Sequence, residues 1–292
     1  MNLARRLAQL NHGFLERLSL VRRKRRFRGR LPRRLSRDGI RQGQRCGGGE
    51  NELRRGAAGD SARRVSPPSA RESILPRGVK NILYLHGFAS SPEGRKVAAL
   101  KALLDPRAFR IVAPDLNVPS FRDLAFAAIV QVALAEAERR IPAVIVGSSL
   151  GALAALEASR LGAPAPLLLV APAVGFGRRW IEKLPVGDPL PFFHHALGRE
   201  LLIHRRFFEE LAALETDREP PPAPVVIVMG TRDESVPYEH VRRVWRSWEG
   251  SGRLVEGSHF IEITGGDHGL VDSAETIARE VVTLARDAAS GS

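Results

Sequence analysis

The sequence predicts an α/β fold built on a doubly wound, mostly parallel sheet. From about residue 79 onward, short apolar runs alternate with longer runs that have helical character, which is the pattern of strands alternating with helices. The apolar runs are hydrophobic at nearly every position, as expected of strands that helices cover on both faces. Glycine-rich polar motifs follow several of these runs, at the edge of the sheet where parallel folds bind their ligands.

The predicted elements follow one another in a regular order. The predicted strands are residues 80–85, 109–113, 143–146, 166–171, 224–229 and 258–264. The predicted helices are residues 94–105, 120–140, 149–161 and 272–288. Residues 172–215 interrupt the alternation and are rich in aromatic side chains and histidine. We expect them to form a helical, lid-like insertion in a folded domain that spans residues 76–292.

The first quarter of the chain differs from the rest in charge. Residues 1–77 contain 21 Lys and Arg against 6 Asp and Glu, a net charge of +15. The remaining residues contain 24 against 26, a net charge of −2. The overall charge of +13 is therefore no reason to expect an enzyme that acts on nucleic acid. We expect residues 1–75 to be a basic, disordered leader, because they hold too few apolar residues to build a core.

Three interpretations of the leader stay open. It could be a tail that binds nucleic acid or anionic lipid through its charge, or an organelle transit segment. It could also be upstream sequence translated from a start site set too early, although no methionine between Met1 and Met229 marks a later start and only an alternative start codon could do so. No apolar run has the length of a membrane span or of a secretory signal, so a cytoplasmic location is expected. The single cysteine, Cys46, excludes an intramolecular disulfide.

The motif at residues 147–151, Gly-Ser-Ser-Leu-Gly, joins a predicted strand to a predicted helix. A serine at the apex of such a sharp turn is held in a strained conformation with its hydroxyl exposed, and the flanking glycines let the neighbouring backbones pass. The motif predicts that Ser149 is a nucleophile for acyl transfer and that the Leu150 N–H stabilises an oxyanion. The alternative is that Ser149 only caps a helix.

Two further motifs supply partners for a nucleophilic serine, in the chain order serine, acid, histidine. Asp233 follows the predicted strand at 224–229, and His268 lies in a glycine-rich loop after the strand at 258–264. Glu234 and Asp267 are nearby rival acids, and an aspartate in a turn is also common without any catalytic role. The order and contexts nevertheless favour a triad of Ser149, Asp233 and His268.

A His-Gly-Phe segment ends the first predicted strand. We expect the Phe88 N–H to be the second oxyanion donor, and His86 to shape this loop and border the substrate pocket. Trp180, Phe192 and Phe193 are candidates for the wall of an acyl pocket, although the insertion could instead pack on the core.

The adjacent histidines at 194 and 195 lack the acids or cysteines that would complete a metal site. We therefore expect no metal at these histidines.

Taken together, these motifs resemble the α/β-hydrolase superfamily and, within it, the small bacterial YqiA/YcfP-like esterases. The stretches that carry the resemblance are residues 84–92, 113–116, 147–151, 230–233 and 266–268, within a region of about 79–288. The resemblance implies an α/β-hydrolase fold with Ser149 as nucleophile, Asp233 as acid and His268 as base. It also implies hydrolysis of esters or thioesters without a cofactor. The segment around residues 180–206 departs from a minimal hydrolase and leaves the substrate size open.

These observations predict a serine hydrolase whose partner is a small-molecule acyl ester or thioester. A thioesterase or acyltransferase with the same triad is the alternative among enzymes, because the motifs do not specify the leaving group or the acceptor. A non-catalytic binding protein with a hydrolase fold is the alternative outside enzymes. Nucleic acid or anionic lipid is expected as a partner only through the basic leader.

Overall fold

The computed structural model describes residues 78–163, 165–175 and 177–290. The predicted leader at 1–75 lies outside the described residues, so the structure does not choose among its three interpretations. Within the described part, no helix combines the length and the apolar character needed to cross a membrane.

The main sheet has six strands, and all of them are parallel. The strands are β1 (Lys80–Leu85), β2 (Phe109–Val112), β3 (Val144–Ser148), β4 (Leu167–Val170), β7 (Val225–Gly230) and β8 (His259–Ile263). Their spatial order is β2-β1-β3-β4-β7-β8. Every residue of β3, β4 and β7 is buried, which explains why these strands have no alternation of polar and apolar positions. The predicted α/β fold with a parallel sheet is confirmed.

Helices cover both faces of this sheet. They are α1 (Arg95–Leu103), α2 (Phe126–Arg140), α3 (Leu150–Arg160), α6 (Tyr238–Gly250) and α7 (Ala274–Ser290). Helix α1 packs against α7, and α2 packs against α3. Helix α2 begins at Phe126 rather than at residue 120, because Ser120 and Asp123 form a local turn in which the Asp123 N–H donates to the Ser120 hydroxyl over 3.1 Å.

The insertion between β4 and β7 is only partly helical, which corrects the prediction of a helical insertion. It contains α4 (Gly177–Lys183), β5 (Leu190–His194), β6 (Arg199–Ile203) and α5 (Arg206–Ala212). Strands β5 and β6 form an antiparallel hairpin, with Leu190 opposite Ile203 and both side chains buried. Gly198 allows the turn through its positive φ of 63°. The alternating burial of β5 is evident only in the structure, because its residues, Leu-Pro-Phe-Phe-His, do not alternate between polar and apolar side chains.

The chain reverses direction across the sheet between β1 and β3. It runs from β1 outward to β2 and then returns to β3 on the other side of β1. The loops that follow β1 and β3 therefore leave the sheet edge on opposite sides, which opens a crevice at their carboxyl ends. This topology brings the loop that begins at His86 next to Ser149.

Candidate active site

Ser149 occupies the tight turn between β3 and α3, with φ 52° and ψ −111°. This positive φ is uncommon for a residue other than glycine and is typical of strained functional sites. The two glycines of the turn are required because other backbone atoms lie too close to leave room for a side chain. A Cβ atom at Gly147 would lie 2.6 Å from the Ala152 Cα, and one at Gly151 would lie 2.1 Å from the Leu85 carbonyl oxygen. The local sequence therefore builds the sharp turn that presents Ser149.

Asp233 and His268 form a hydrogen-bonded pair after β7 and β8. The His268 Nδ1 lies 2.7 Å from the Asp233 Oδ2. The Asp233 side chain is fully buried, and its other oxygen accepts N–H donors from Ser235 at 2.9 Å and Val236 at 2.8 Å. The carboxylate is thus fixed by three partners, and it holds the Nδ1–H tautomer of His268, which leaves Nε2 as a base.

The rival acids have other positions. Glu234 is exposed. The Asp267 Oδ1 accepts the Leu270 N–H over 2.9 Å and so stabilises the turn of its own loop. Neither residue has a hydrogen bond to His268 in the part of the chain that the structure describes.

Ser149 and His268 share one cleft of about 390 Å³. Gly87 and Phe88, in the loop after β1, also line this cleft. A Cβ atom at Gly87 would lie 3.4 Å from the Ser149 Cβ, so this loop passes over the serine turn in van der Waals contact. The predicted donors Phe88 and Leu150 therefore belong to the two segments that meet at Ser149.

His86 lines the cleft, and its hydrogen bonds hold the loop after β1 in place. Its Nε2 accepts the Leu116 N–H over 3.0 Å, so the ring proton is on Nδ1, which lies 2.9 Å from the Gly87 carbonyl oxygen. Burial lowers the pKa of His86, and the nearby Asp115 offsets part of that effect. A neutral imidazole that accepts from one segment and donates to another is suited to shaping the loop, as the sequence indicated.

The three aromatic candidates do not line the cleft. Trp180 and Phe192 pack on the ring of Phe88, each with a centroid distance of 5.4 Å. The Phe193 side chain is 51% exposed and lies against the ring of His195. Because Phe88 lies at the cleft and the rings of Trp180 and Phe192 pack against it, these two rings support the loop after β1. Their assignment, with that of Phe193, to the wall of an acyl pocket stays a prediction.

Two residues at the tip of the β5–β6 hairpin reach the cleft instead. They are His195 and Ala196. The His195 N–H donates to the Ala89 carbonyl oxygen over 2.9 Å, which ties the insertion to the loop after β1. No local sequence pattern indicates this contact, because it depends on how the hairpin packs against the loop after β1. Ser90, Ser91, Glu93 and Arg95 complete a largely polar rim.

Lys96 is a further cleft residue that the sequence analysis missed. It lies on α1, and its Nζ donates to the Ser148 hydroxyl over 2.8 Å and to the His268 carbonyl oxygen over 3.3 Å. Burial lowers its pKa to about 8, against the opposing effect of Asp233 and Asp267. A lysine four residues after the Ser-Pro pair at 91–92 gives no recognisable signal for such a position.

Among the described residues, no group of three or more His, Cys, Asp or Glu side chains is placed to hold a metal ion. His194 is buried with its ring 4.9 Å from that of Phe121, whereas His195 is exposed at the cleft.

Comparison with protein families gives one match over most of the folded region. Residues 81–281 match the model of an uncharacterised protein family, UPF0227. No curated protein sequence matches the chain significantly.

Solved structures share the fold at low sequence identity. A protein from Agrobacterium vitis S4, described as a hydrolase, superposes with a TM-score of 0.58 and 21% identity, covering 70% of this chain and 87% of that one. Est1E from Butyrivibrio proteoclasticus with bound ferulic acid gives 0.56 and 18%, covering 73% and 93%. A monoacylglycerol lipase from Paleococcus ferrophilus gives 0.56 and 16%, covering 71% and 96%. At these identities the similarity establishes the α/β-hydrolase fold.

Proposed function

Since this chain belongs to the uncharacterised protein family UPF0227 and has the α/β-hydrolase fold, we propose that it is a serine hydrolase. Its proposed substrates are carboxylic esters or thioesters. The observation that carries the proposal is the 2.7 Å pair of Asp233 and His268, which shares a cleft with a serine in strained backbone conformation. Each of these features is costly or uncommon alone, and their combination is what a general-base-activated nucleophile requires.

The proposed reaction uses the groups of the cleft in sequence. The His268 Nε2 removes the hydroxyl proton as the Ser149 Oγ attacks the carbonyl carbon of the substrate. Asp233 keeps the other ring nitrogen protonated and stabilises the imidazolium that forms. The N–H groups of Leu150 and Phe88 stabilise the oxyanion.

The acyl-enzyme forms and breaks down by complementary proton transfers. The imidazolium donates its proton to the departing alkoxide or thiolate, which leaves Ser149 acylated. The same imidazole then removes a proton from water, which attacks the acyl carbon, and the imidazolium returns that proton to the Ser149 Oγ as the acid is released.

The size and lining of the cleft support a small or medium acyl group. Its volume of about 390 Å³ is near the lower end for small-molecule sites, which span roughly 300–1,000 Å³. Polar side chains from Ser90, Ser91, Glu93 and Arg95 surround the opening, and the large aromatic rings of the insertion lie behind Phe88. A long saturated chain would therefore meet polar side chains at the opening of the cleft.

The test is hydrolysis of chromogenic acyl esters from acetyl to palmitoyl, and of the matching acyl thioesters, by the full chain. We expect short acyl groups to react fastest and Ser149→Ala to lower kcat by at least about 10³-fold. Ser251→Ala, in the loop after α6, is the matched control and should leave kcat unchanged. Retained hydrolysis in Ser149→Ala would refute the proposed nucleophile. Product formation that requires an added alcohol acceptor would identify an acyltransferase instead.

A further inference from the structure

A lysine of helix α1 is hydrogen-bonded to the residue directly before Ser149. The Lys96 ammonium donates to the Ser148 hydroxyl over 2.8 Å. The Ser148 hydroxyl also lies near the buried phenol of Tyr84 on strand β1. The residue directly before the nucleophile is therefore held by a side chain from helix α1.

The same ammonium also reaches the histidine loop. Its second donor contact is the backbone carbonyl oxygen of His268, at 3.3 Å. Lys96 is thus hydrogen-bonded to the neighbour of the proposed nucleophile and to the proposed base itself. Among the described residues, Lys96 is the one side chain that is hydrogen-bonded to both of these segments.

The strand order explains why a side chain that connects the Ser149 turn to the His268 loop would matter. Ser149 follows β3 and His268 follows β8, and these strands are separated by β4 and β7. The two loops therefore share no ladder of backbone hydrogen bonds, and their relative position depends on contacts outside the sheet. An error of about 1 Å between a nucleophile and its base can cost about 100-fold in rate.

The position of Lys96 is energetically unfavourable for a charged side chain. Burial of an ammonium is unfavourable unless hydrogen bonds and opposite charges compensate it. The groups that face Lys96 are Asp233 after β7 and Asp267 after β8, which favour its charge, and Arg95 on its own helix, which opposes it. An unbranched apolar side chain would fill the same space without this cost, so packing alone does not account for a lysine.

We infer that Lys96 is a positioning residue, which holds the Ser149 turn and the His268 loop in the alignment that proton transfer requires. The inference rests on the proposed function. Lys96 acts through Ser148 and His268 and not on the reacting atoms.

The experiment measures covalent labelling of the full chain by a fluorophosphonate probe, which reacts with activated serines without knowledge of the natural substrate. Lys96→Met keeps the length of the side chain and removes its donors. We expect it to lower the maximal labelling rate constant about 10- to 100-fold and to leave the half-saturating probe concentration unchanged. Lys101→Met, the same substitution at an exposed position of α1, should label like wild type. Lys96→Arg keeps the donors and should recover part of the lost rate.

Two features separate positioning from general support of the fold. Thermal unfolding should show Lys96→Met to be at least as stable as wild type, so that slow labelling is not due to unfolding. The maximal labelling rate should fall in Lys96→Met while the half-saturating probe concentration stays constant, and the donors of Lys96→Arg should restore part of the rate, which a loss of packing alone would not produce. If Lys96→Met does not fold, Ser148→Ala removes the same contact without altering the charge and should slow labelling in the same way.

The outcomes distinguish this inference from the proposed function. Normal labelling of Lys96→Met together with no labelling of Ser149→Ala would overturn the inference and leave the proposed function standing. Absence of labelling in wild type would overturn the proposed function and the inference with it. Labelling that is lost in Ser148→Ala but kept in Ser149→Ala would identify Ser148 and Lys96 as a nucleophile and base pair, and would overturn both.

Discussion

Gly151 and Leu85 approach so closely that a Cβ atom on Gly151 would lie 2.1 Å from the Leu85 carbonyl oxygen. The first turn of α3 therefore rests directly on the end of β1. This contact sets the height of the Ser149 turn over the sheet and its distance from the loop that begins at His86. The glycine is required by the backbone of a neighbouring strand and not only by the turn in which it lies.

Gly151→Ala is expected to disturb this contact. The added methyl group meets backbone atoms that cannot move aside, so we expect a loss of about 1–3 kcal/mol in the free energy of unfolding. We also expect activity to fall at least 10-fold, because α3 carries Leu150 and Ser149 with it. Urea unfolding and fluorophosphonate labelling measure the two effects. Gly250→Ala is the matched control, since a Cβ there meets nothing within 4 Å, and it should not reduce stability.

Asp233→Asn is expected to abolish most turnover while leaving the fold intact. The amide can still accept from Ser235 and Val236, but it no longer stabilises the imidazolium or enforces the productive tautomer of His268. A loss of about 10³- to 10⁴-fold in kcat is expected from this defect. Glu234→Gln is the control for the rival acid and should retain activity. A larger loss in Glu234→Gln than in Asp233→Asn would show that the acid has been assigned to the wrong residue.

Stability should respond to pH through Lys96. Burial lowers the pKa of this lysine from 10.5 to about 8, so between these values the unfolded chain binds more protons than the folded one. The contribution of Lys96 to the free energy of unfolding therefore becomes more favourable as pH rises from 8 toward 10.5. At pH 7, Lys96→Met should match or exceed wild type by up to about 3 kcal/mol, and this difference should shrink by pH 10. Urea unfolding at both pH values measures it, and a difference that grows with pH would contradict the assignment.

Phe192→Leu tests whether the insertion supports the loop after β1. The Phe192 ring packs edge-to-face on Phe88 at 5.4 Å, so its loss should loosen the proposed oxyanion donor. We expect kcat to fall several-fold, while KM and the preference for acyl length stay constant. Phe193→Leu changes the neighbouring exposed ring and should have no such effect. A shift in acyl-length preference in Phe192→Leu would instead favour the predicted pocket wall.

Much of the fold could be predicted from local patterns. The continuous apolar runs of β3, β4 and β7 predicted buried parallel strands, and the structure confirms them. The match to UPF0227 confirms the family that the motifs indicated. The β5–β6 hairpin was missed, because the aromatic-rich residues 172–215 were interpreted as a helical insertion. The roles of Ser149, Asp233 and His268 stay predictions that the experiments above address.

The sequence by itself determined the features that depend on neighbouring residues. The glycines at 147 and 151 specify a tight turn at Ser149, and the order serine, acid, histidine places each group after a strand. Only the tertiary structure decided which groups meet. It joined Lys96 to a carbonyl 172 positions away, and it placed Phe88 between the aromatic rings and the cleft. Such contacts depend on strand order and on the packing of helices across the sheet, and no local pattern of residues encodes them.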